Sequence, residues 1–199
     1  MRHNEGLRAF AFGLAVALGD GAGPCSGSSP PADEAEFHFY VLGPECQWPR
    51  LLGYTAEEFW PRIVKCPLDQ ARVVLDTGDI ESYDWQAHEL LLTPDGSRRF
   101  LAMGLSLEAD FLAELESTGT AFVVSVGRDF QYAGVFYVPE GAAAIRFPVC
   151  HLESRGQQVL FRLHNCQGTE YGVICTDDHI GTPPIKQALA ATGKLRAER

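Results

Sequence analysis

The sequence predicts a single α+β domain with a largely antiparallel sheet and two or three short helices. An apolar run at 120–126 is followed, after a short glycine-containing loop, by a second apolar run at 130–138, which is typical of a β-hairpin. Thr55, followed three residues later by Glu58, forms a capping-box pattern that marks the start of a helix. Runs of strands with interspersed helices indicate the α+β class, and short connections favour antiparallel pairing.

The first 35 residues predict a leader and a tether. Two arginines flank the start of an uncharged apolar run at 9–18, and small residues and prolines follow, which is the layout of a secretory signal peptide. The run is about half as long as the roughly twenty residues that a membrane-spanning helix needs. We therefore expect a signal peptide at 1–19, a disordered tether at 20–35 and one globular domain at 36–199.

Two other interpretations of the leader stay open. Cys25 is the lipid-modified first residue of a mature lipoprotein in one of them, although Pro24 stands where a lipobox has a small flexible residue. In the other, the apolar run is a buried amphipathic helix. The predicted location is therefore secreted or periplasmic, with membrane attachment only through an N-terminal anchor.

The domain is expected to begin with a strand and a short helix. Every second residue of 37–41 is apolar, which predicts a half-buried strand over 36–42. The helix that starts at Thr55 is limited by Pro61 to a turn or two. The segment 68–75 fits a helix or a strand.

The middle of the chain is expected to add a hairpin and a helix. Strand signals dominate from Ile80 onward, with a strand at 88–93 that leads into the turn sequence Pro94-Asp95-Gly96-Ser97. The residues 98–103 are predicted to return as its partner strand. Ser106 is a suitable N-cap for a helix whose apolar residues share one face up to Leu115.

The C-terminal third is expected to complete the sheet. Strand patterns occur at 144–149, 159–164 and 171–176, and a terminal helix is predicted at 185–191 after two prolines.

Composition and charge exclude two classes of partner. Hydrophobic residues make up 46% of the chain and charged residues 21%, as in an ordinary globular domain. The formal net charge is −10, and no basic cluster is present. Such a surface repels nucleic-acid phosphates and anionic lipids. The expected partner is an unidentified protein or small-molecule ligand, and the sequence leaves the oligomeric state open.

Six cysteines predict disulfides if the chain enters an oxidising compartment. Their spacing favours a bridge between Cys46 and Cys66, which bracket one compact segment. A second bridge is expected within Cys150, Cys166 and Cys175.

One polar and aromatic segment is a candidate ligand pocket. Asp84, Trp85 and His88 lie within five residues of each other, and the His88 imidazole is suited to acid–base or ligand contacts. The alternative interpretation is purely structural, with Trp85 packing in the core and Asp84 satisfying a turn.

The order of three motifs resembles a family of uncharacterised exported bacterial proteins. The resemblance rests on Tyr83-Asp84-Trp85 followed by His88, on Phe122-Val123-Val124 and on the Tyr132–Phe136 motif with glycine at its centre. It spans residues 79–137 and implies a shared domain without known catalytic residues.

A shorter resemblance is to PAS sensor domains. The segment 51–59 is similar to the start of a PAS helix, and Pro94–Ser97 is similar to a later PAS hairpin turn. The strands that follow depart from PAS spacing, because the helical pattern Leu107–Leu115 lies between them, and a capping box with a turn also explains both fragments. A PAS-like sensor is carried as an alternative function.

The C-terminal third suggests a second alternative, a zinc site or a Cys/His-based enzyme. Thiolate and imidazole groups suit tetrahedral zinc. The candidate ligands are His151, His164, Cys166, Cys175 and His179. Their spacing does not match a common zinc motif. No phosphate loop, dinucleotide motif or nucleophile elbow is present. No cofactor is predicted, and an exported, disulfide-stabilised binding or structural module is favoured over an enzyme.

Overall fold

The structure, a computed structural model, describes residues 36–43, 46, 56–102, 119–137, 145–168, 175 and 178–196. These residues contain one eight-stranded sheet, ordered β2-β1-β5-β6-β7-β8-β4-β3. Neighbouring strands pair antiparallel except β6 and β7, which pair parallel. The strands are β1 (Phe37–Val41), β2 (Val73–Asp76), β3 (Ile80–Asp84), β4 (Glu89–Leu92), β5 (Ala121–Val126), β6 (Asp129–Phe136), β7 (Val149–Arg155) and β8 (Gln158–His164).

Three short helices accompany the sheet in the described ranges, so the predicted α+β class is confirmed. They are α1 (Ala56–Ile63), α2 (Pro94–Leu101) and α3 (Pro183–Ala191). Within the part of the chain that the structure describes, no helix is long and apolar enough to span a membrane. The predicted leader at 1–19 and the tether at 20–35 lie outside the described residues.

One face of the sheet carries an aromatic core beneath α2 and α3. Phe39 on β1 stacks on Phe122 of β5 with ring centroids 4.8 Å apart, and Phe161 of β8 lies 5.0 Å from Phe100 of α2. All four rings are essentially inaccessible to solvent. This core therefore extends from β1 across the sheet to β8 and ties its two halves together.

The opposite face has a smaller core beneath α1. Phe59 of α1 stacks on Phe147 with ring centroids 4.2 Å apart, and Val123 and Val135 of the β5–β6 hairpin belong to the same cluster. Trp60 donates from Nε1 to the Ala133 carbonyl at 3.0 Å. Because β5 lies between α1 and α3, its residues are buried on both faces.

The predicted turn at 94–97 and return strand at 98–103 are wrong, because residues 94–101 form helix α2. The Thr93 hydroxyl accepts a hydrogen bond from the Gly96 N–H at 3.0 Å, and Pro94 occupies the first helical position. A Cβ at Gly96 would lie 2.5 Å from the Asp79 carbonyl oxygen, so the helix packs closely on the chain before β3. The same Thr-Pro-Asp-Gly residues suit a turn and a helix start, and tertiary packing selects the helix.

The seventh strand also differs from its prediction. The strand predicted at 144–149 begins only at Val149 and continues to Arg155, whereas Ile145 forms an isolated bridge to Gln167. The second half of β7 is polar, and its last two residues, Ser154 and Arg155, are exposed to solvent. The ambiguous segment 68–75 contains a 3₁₀ turn followed by β2. The predicted helix at 106–115 and most of the predicted strand at 171–176 lie outside the described residues.

Candidate functional site

The cysteines that the structure describes form two disulfides. Cys46 is bonded to Cys66, the pair that the sequence favoured, with Cα atoms 6.1 Å apart. Cys166 is bonded to Cys175, with Cα atoms 5.7 Å apart. Cys150 keeps its thiol, which is buried in the aromatic core and donates to the His151 carbonyl at 3.8 Å. Two disulfides are compatible with an oxidising environment.

The β3–β4 hairpin brings two of the three predicted pocket residues together at its tip. The rings of Trp85 and His88 lie 6.0 Å apart, and Tyr83 lies within 6.5 Å of both. Asp84 instead caps the turn, because its Oδ1 accepts from the Gln86 and Ala87 N–H groups at 3.1 and 3.0 Å. Asp84 therefore has the structural role that the sequence offered as an alternative.

His88 is held in an unusual backbone conformation. Its φ angle is 52°, and it is the single non-glycine residue with positive φ in the part of the chain that the structure describes. The Tyr83 hydroxyl is 3.2 Å from His88 Nδ1, and the Leu163 N–H donates to the His88 carbonyl at 3.0 Å. A left-handed conformation costs roughly 1–2 kcal/mol for a residue with a Cβ, so these two contacts stabilise a conformation that the chain would otherwise avoid.

The loop before α3 contributes an acidic and an amide side chain to the same end of the sheet. Asn165 donates from Nδ2 to Asp178 Oδ1 at 3.1 Å and accepts from the N–H groups of His179 and Ile180. Desolvation opposes ionisation of Asp178, but hydrogen bonds from the Gly181 N–H and from Asn165, with the charge of His88, lower its pKa overall. Asp178 is therefore an ionised carboxylate at neutral pH, and its charge interacts with that of His88.

A cation and a buried phenol complete this group. The Lys186 ammonium of α3 lies 5.3 Å from the centroid of the Trp85 ring, within the range of a cation–π contact. Burial, with the charges of Asp178 and Asp84, raises the pKa of Tyr83, which stays protonated at physiological pH. We call Tyr83, Trp85, His88, Asp178 and Lys186 the hairpin-tip site.

The structure separates most of the predicted metal ligands. Cys166 and Cys175 are bonded to each other, so neither is a thiolate in this state. His179 packs edge-on against Trp60, with ring centroids 4.7 Å apart. Among the described residues, no group of three or more His, Cys, Asp and Glu side chains is arranged to hold a metal ion.

His151 and His164 remain together on another surface. Their ring centroids are 5.0 Å apart on the adjacent strands β7 and β8. The same face carries four charged side chains, linked by N–O distances of 2.7–3.8 Å, which we call the ion-pair quartet: Glu89, Glu153, Arg155 and Arg162. The histidine pair therefore borders a charged surface on the opposite side of the sheet from α3.

Sequence reasoning missed three members of the hairpin-tip site. The sequence indicates only weakly that Tyr83 belongs to a site. It lies between Ser82 and Asp84 in a strand pattern, which predicts that its side chain points to the core. Asp178 and Lys186 lie about one hundred residues later, and only the fold brings them to the hairpin. No protein-family model, curated protein or solved structure matches the chain.

Proposed function

We propose that the protein is an exported, disulfide-stabilised binding module that holds a small ligand at the hairpin-tip site. The predicted leader and the two disulfides support export. The resemblance of residues 79–137 to exported bacterial proteins is consistent with this proposal.

The left-handed backbone of His88 is the observation that carries the binding proposal. Glycine or asparagine makes the same hairpin position at lower conformational cost. A histidine there is useful for its imidazole rather than for the turn. Outliers of this kind concentrate at functional sites, where surrounding contacts hold them in place. Tyr83 and Leu163 supply such contacts to His88.

The groups around Trp85 define the chemistry of the ligand. The indole ring is half-buried, and Lys186 and His88 both lie against it. A flat apolar group on the ligand would pack on the remaining indole surface, and a carboxylate on the ligand would pair with the Lys186 ammonium, because His88 already interacts with the Asp178 carboxylate. The favoured ligand class is therefore a small aromatic acid.

Titration with phenylacetate tests this assignment, with phenylacetamide as the uncharged counterpart. We expect the indole N–H resonance of Trp85, identified by its loss in Trp85→Phe, to shift with phenylacetate. The amide should bind about tenfold more weakly, equivalent to roughly 1.4 kcal/mol, because it cannot pair with Lys186 as an anion.

Two substitutions with a matched control make the test specific. Lys186→Met should remove the preference for the acid, whereas Lys65→Met, the same change at an exposed site after α1, should retain it. His88→Gly should keep the unfolding free energy within about 1 kcal/mol, since relief of the left-handed strain offsets the lost Tyr83 contact, yet weaken binding. Equal binding of acid and amide, or unchanged binding in Lys186→Met, would contradict the proposal.

Export is tested separately by the mature N-terminus. Mass spectrometry of the protein recovered from a secreting host should show cleavage after Gly19, with Cys25 retained and not lipid-modified. A retained leader would contradict export, and a lipidated Cys25 would replace secretion with membrane anchoring.

A further inference from the structure

The strongest unassigned feature is the pair of imidazoles on β7 and β8. His151 and His164 occupy diagonal positions, because His164 pairs with Val149 and His151 pairs with Arg162. Both side chains lie on the same face of the sheet, opposite α3. Their ring centroids are 5.0 Å apart and the rings are tilted by 52°.

This spacing matches two histidines that share one metal ion. With metal–nitrogen distances of about 2.0–2.1 Å and an angle at the metal of about 90–110°, two imidazoles on one ion have ring centres roughly 4.5–5 Å apart. Rings that only pack against each other also have centres about 4.5–7 Å apart. The ring separation alone does not require a metal ion. The position of the proton on each imidazole ring must also leave a nitrogen lone pair for the metal.

The tautomer of His151 is suited to ligation. Its Nδ1 forms a close contact with the Tyr137 carbonyl, which accepts a hydrogen bond when the proton is on Nδ1. The lone pair is then on Nε2. Histidine ligands in proteins commonly donate their second nitrogen to a backbone carbonyl in this way, which fixes the ring orientation.

The charged side chains next to the histidine pair are paired with each other. Arg162 has guanidinium nitrogens 2.7 Å from a Glu153 carboxylate oxygen and 3.5 Å from a Glu89 carboxylate oxygen. The two arginines and two glutamates of the ion-pair quartet together carry no net charge.

We propose that His151 and His164 bind one divalent transition-metal ion, copper(II) in preference to zinc(II), with water completing the coordination. The preference follows from imidazole ligands and from the general order of divalent metal affinities. The site is distinct from the hairpin-tip site, because it uses the other face of the sheet and none of the same residues.

Calorimetric titration of the full chain with copper(II), and then with zinc(II), tests the proposal. Every sample carries His3→Gln, so that the histidine of the predicted leader does not contribute to copper binding. We expect one equivalent of copper(II), tighter binding of copper than of zinc, and pulsed EPR signals from two imidazoles. Binding should weaken as the pH is lowered, because protons compete with the metal for the imidazole nitrogens.

Single substitutions identify the ligands. His164→Gln and His151→Gln should each weaken copper binding at least about tenfold, whereas His38→Gln on β1 should leave it unchanged. His164 is exposed, so its variant is expected to fold, and circular dichroism checks this in every sample. Unchanged affinity in the double variant, or an EPR signal from a single imidazole, would overturn the proposal.

Discussion

The two halves of the sheet differ in what covers them. The half formed by β2, β1, β5 and β6 is apolar on both faces around β5, which is buried throughout. The half formed by β7, β8, β4 and β3 is apolar towards the aromatic core but carries histidines and the ion-pair quartet on its other face. Both proposed sites belong to this second half.

This difference separates the residues that stabilise the fold from those available for binding. The sequence of β5 is almost entirely apolar, whereas β7 alternates core residues such as Cys150 and Leu152 with His151 and Glu153. A strand covered on both faces has no position for a polar side chain without a partner. A strand covered on one face leaves every second position for solvent or a ligand.

The largest expected effect is in the core of the first half. Phe122→Ala should reduce the free energy of unfolding by about 3–5 kcal/mol, because Phe122 is fully buried and contacts Phe39 and Phe136. Urea denaturation measures the loss. Glu153→Ala in the second half is the comparison, and a similar loss there would show that the two halves do not differ as described.

Removal of the disulfides should have the next largest effect. Serine replacement of both Cys46 and Cys66 opens a 20-residue loop and should cost about 3 kcal/mol, and replacement of Cys166 and Cys175 opens a 9-residue loop and should cost about 2.5 kcal/mol. Thermal unfolding gives the stabilities of both variants. An equal or greater loss in the variant with the shorter loop would contradict this order.

The helix cap at Thr93 should contribute less. Thr93→Ala removes the hydroxyl that accepts from the Gly96 N–H and should cost about 1 kcal/mol. Thr93→Ser keeps the hydroxyl and should recover most of that loss in the same urea titration. If Thr93→Ser is as unstable as Thr93→Ala, the cap is not the source of the effect.

The smallest effect is expected from the ion-pair quartet. A hydrogen bond from Arg155 lowers the pKa of Glu153, against desolvation, and the charge of Arg162 acts in the same direction. The stabilisation from ionised Glu153 is therefore present at pH values above its ordinary pKa of about 4.5. It is lost as the pH falls through the lowered pKa that Glu153 has in the folded state. Because these side chains are about 40% exposed, Glu153→Gln should cost less than about 1 kcal/mol at pH 7.

Salt provides the control for this last prediction. The difference between the wild type and Glu153→Gln should shrink at 1 M salt, since exposed charges are screened. It should also vanish at low pH, where Glu153 is protonated in both states. A difference that is independent of salt and pH would indicate a packing role for the side chain.

Prediction from the sequence succeeded where a local residue pattern is compatible with only one structure. The hairpin of β5 and β6, with an apolar run on each side of Gly127, was predictable because nothing else accommodates two such runs so close together. It failed at 94–101, where Thr93-Pro94-Asp95-Gly96 suits a turn and a helix equally. It found Trp85 and His88 because they are only three positions apart in the chain, and it missed Lys186 because that residue is distant in the chain.

The sequence by itself determined the α+β class, the apolar strands and the preferred Cys46–Cys66 pairing, since these depend on periodicity and short separation. Tertiary structure decided the rest. It bonded Cys166 to Cys175, and it brought Lys186 to Trp85 and His164 to His151. Long-range contacts of this kind depend on the order of strands in the sheet and on which face each helix covers. Neither is encoded in any single segment, because the pairing of strands is chosen by the burial of the whole core.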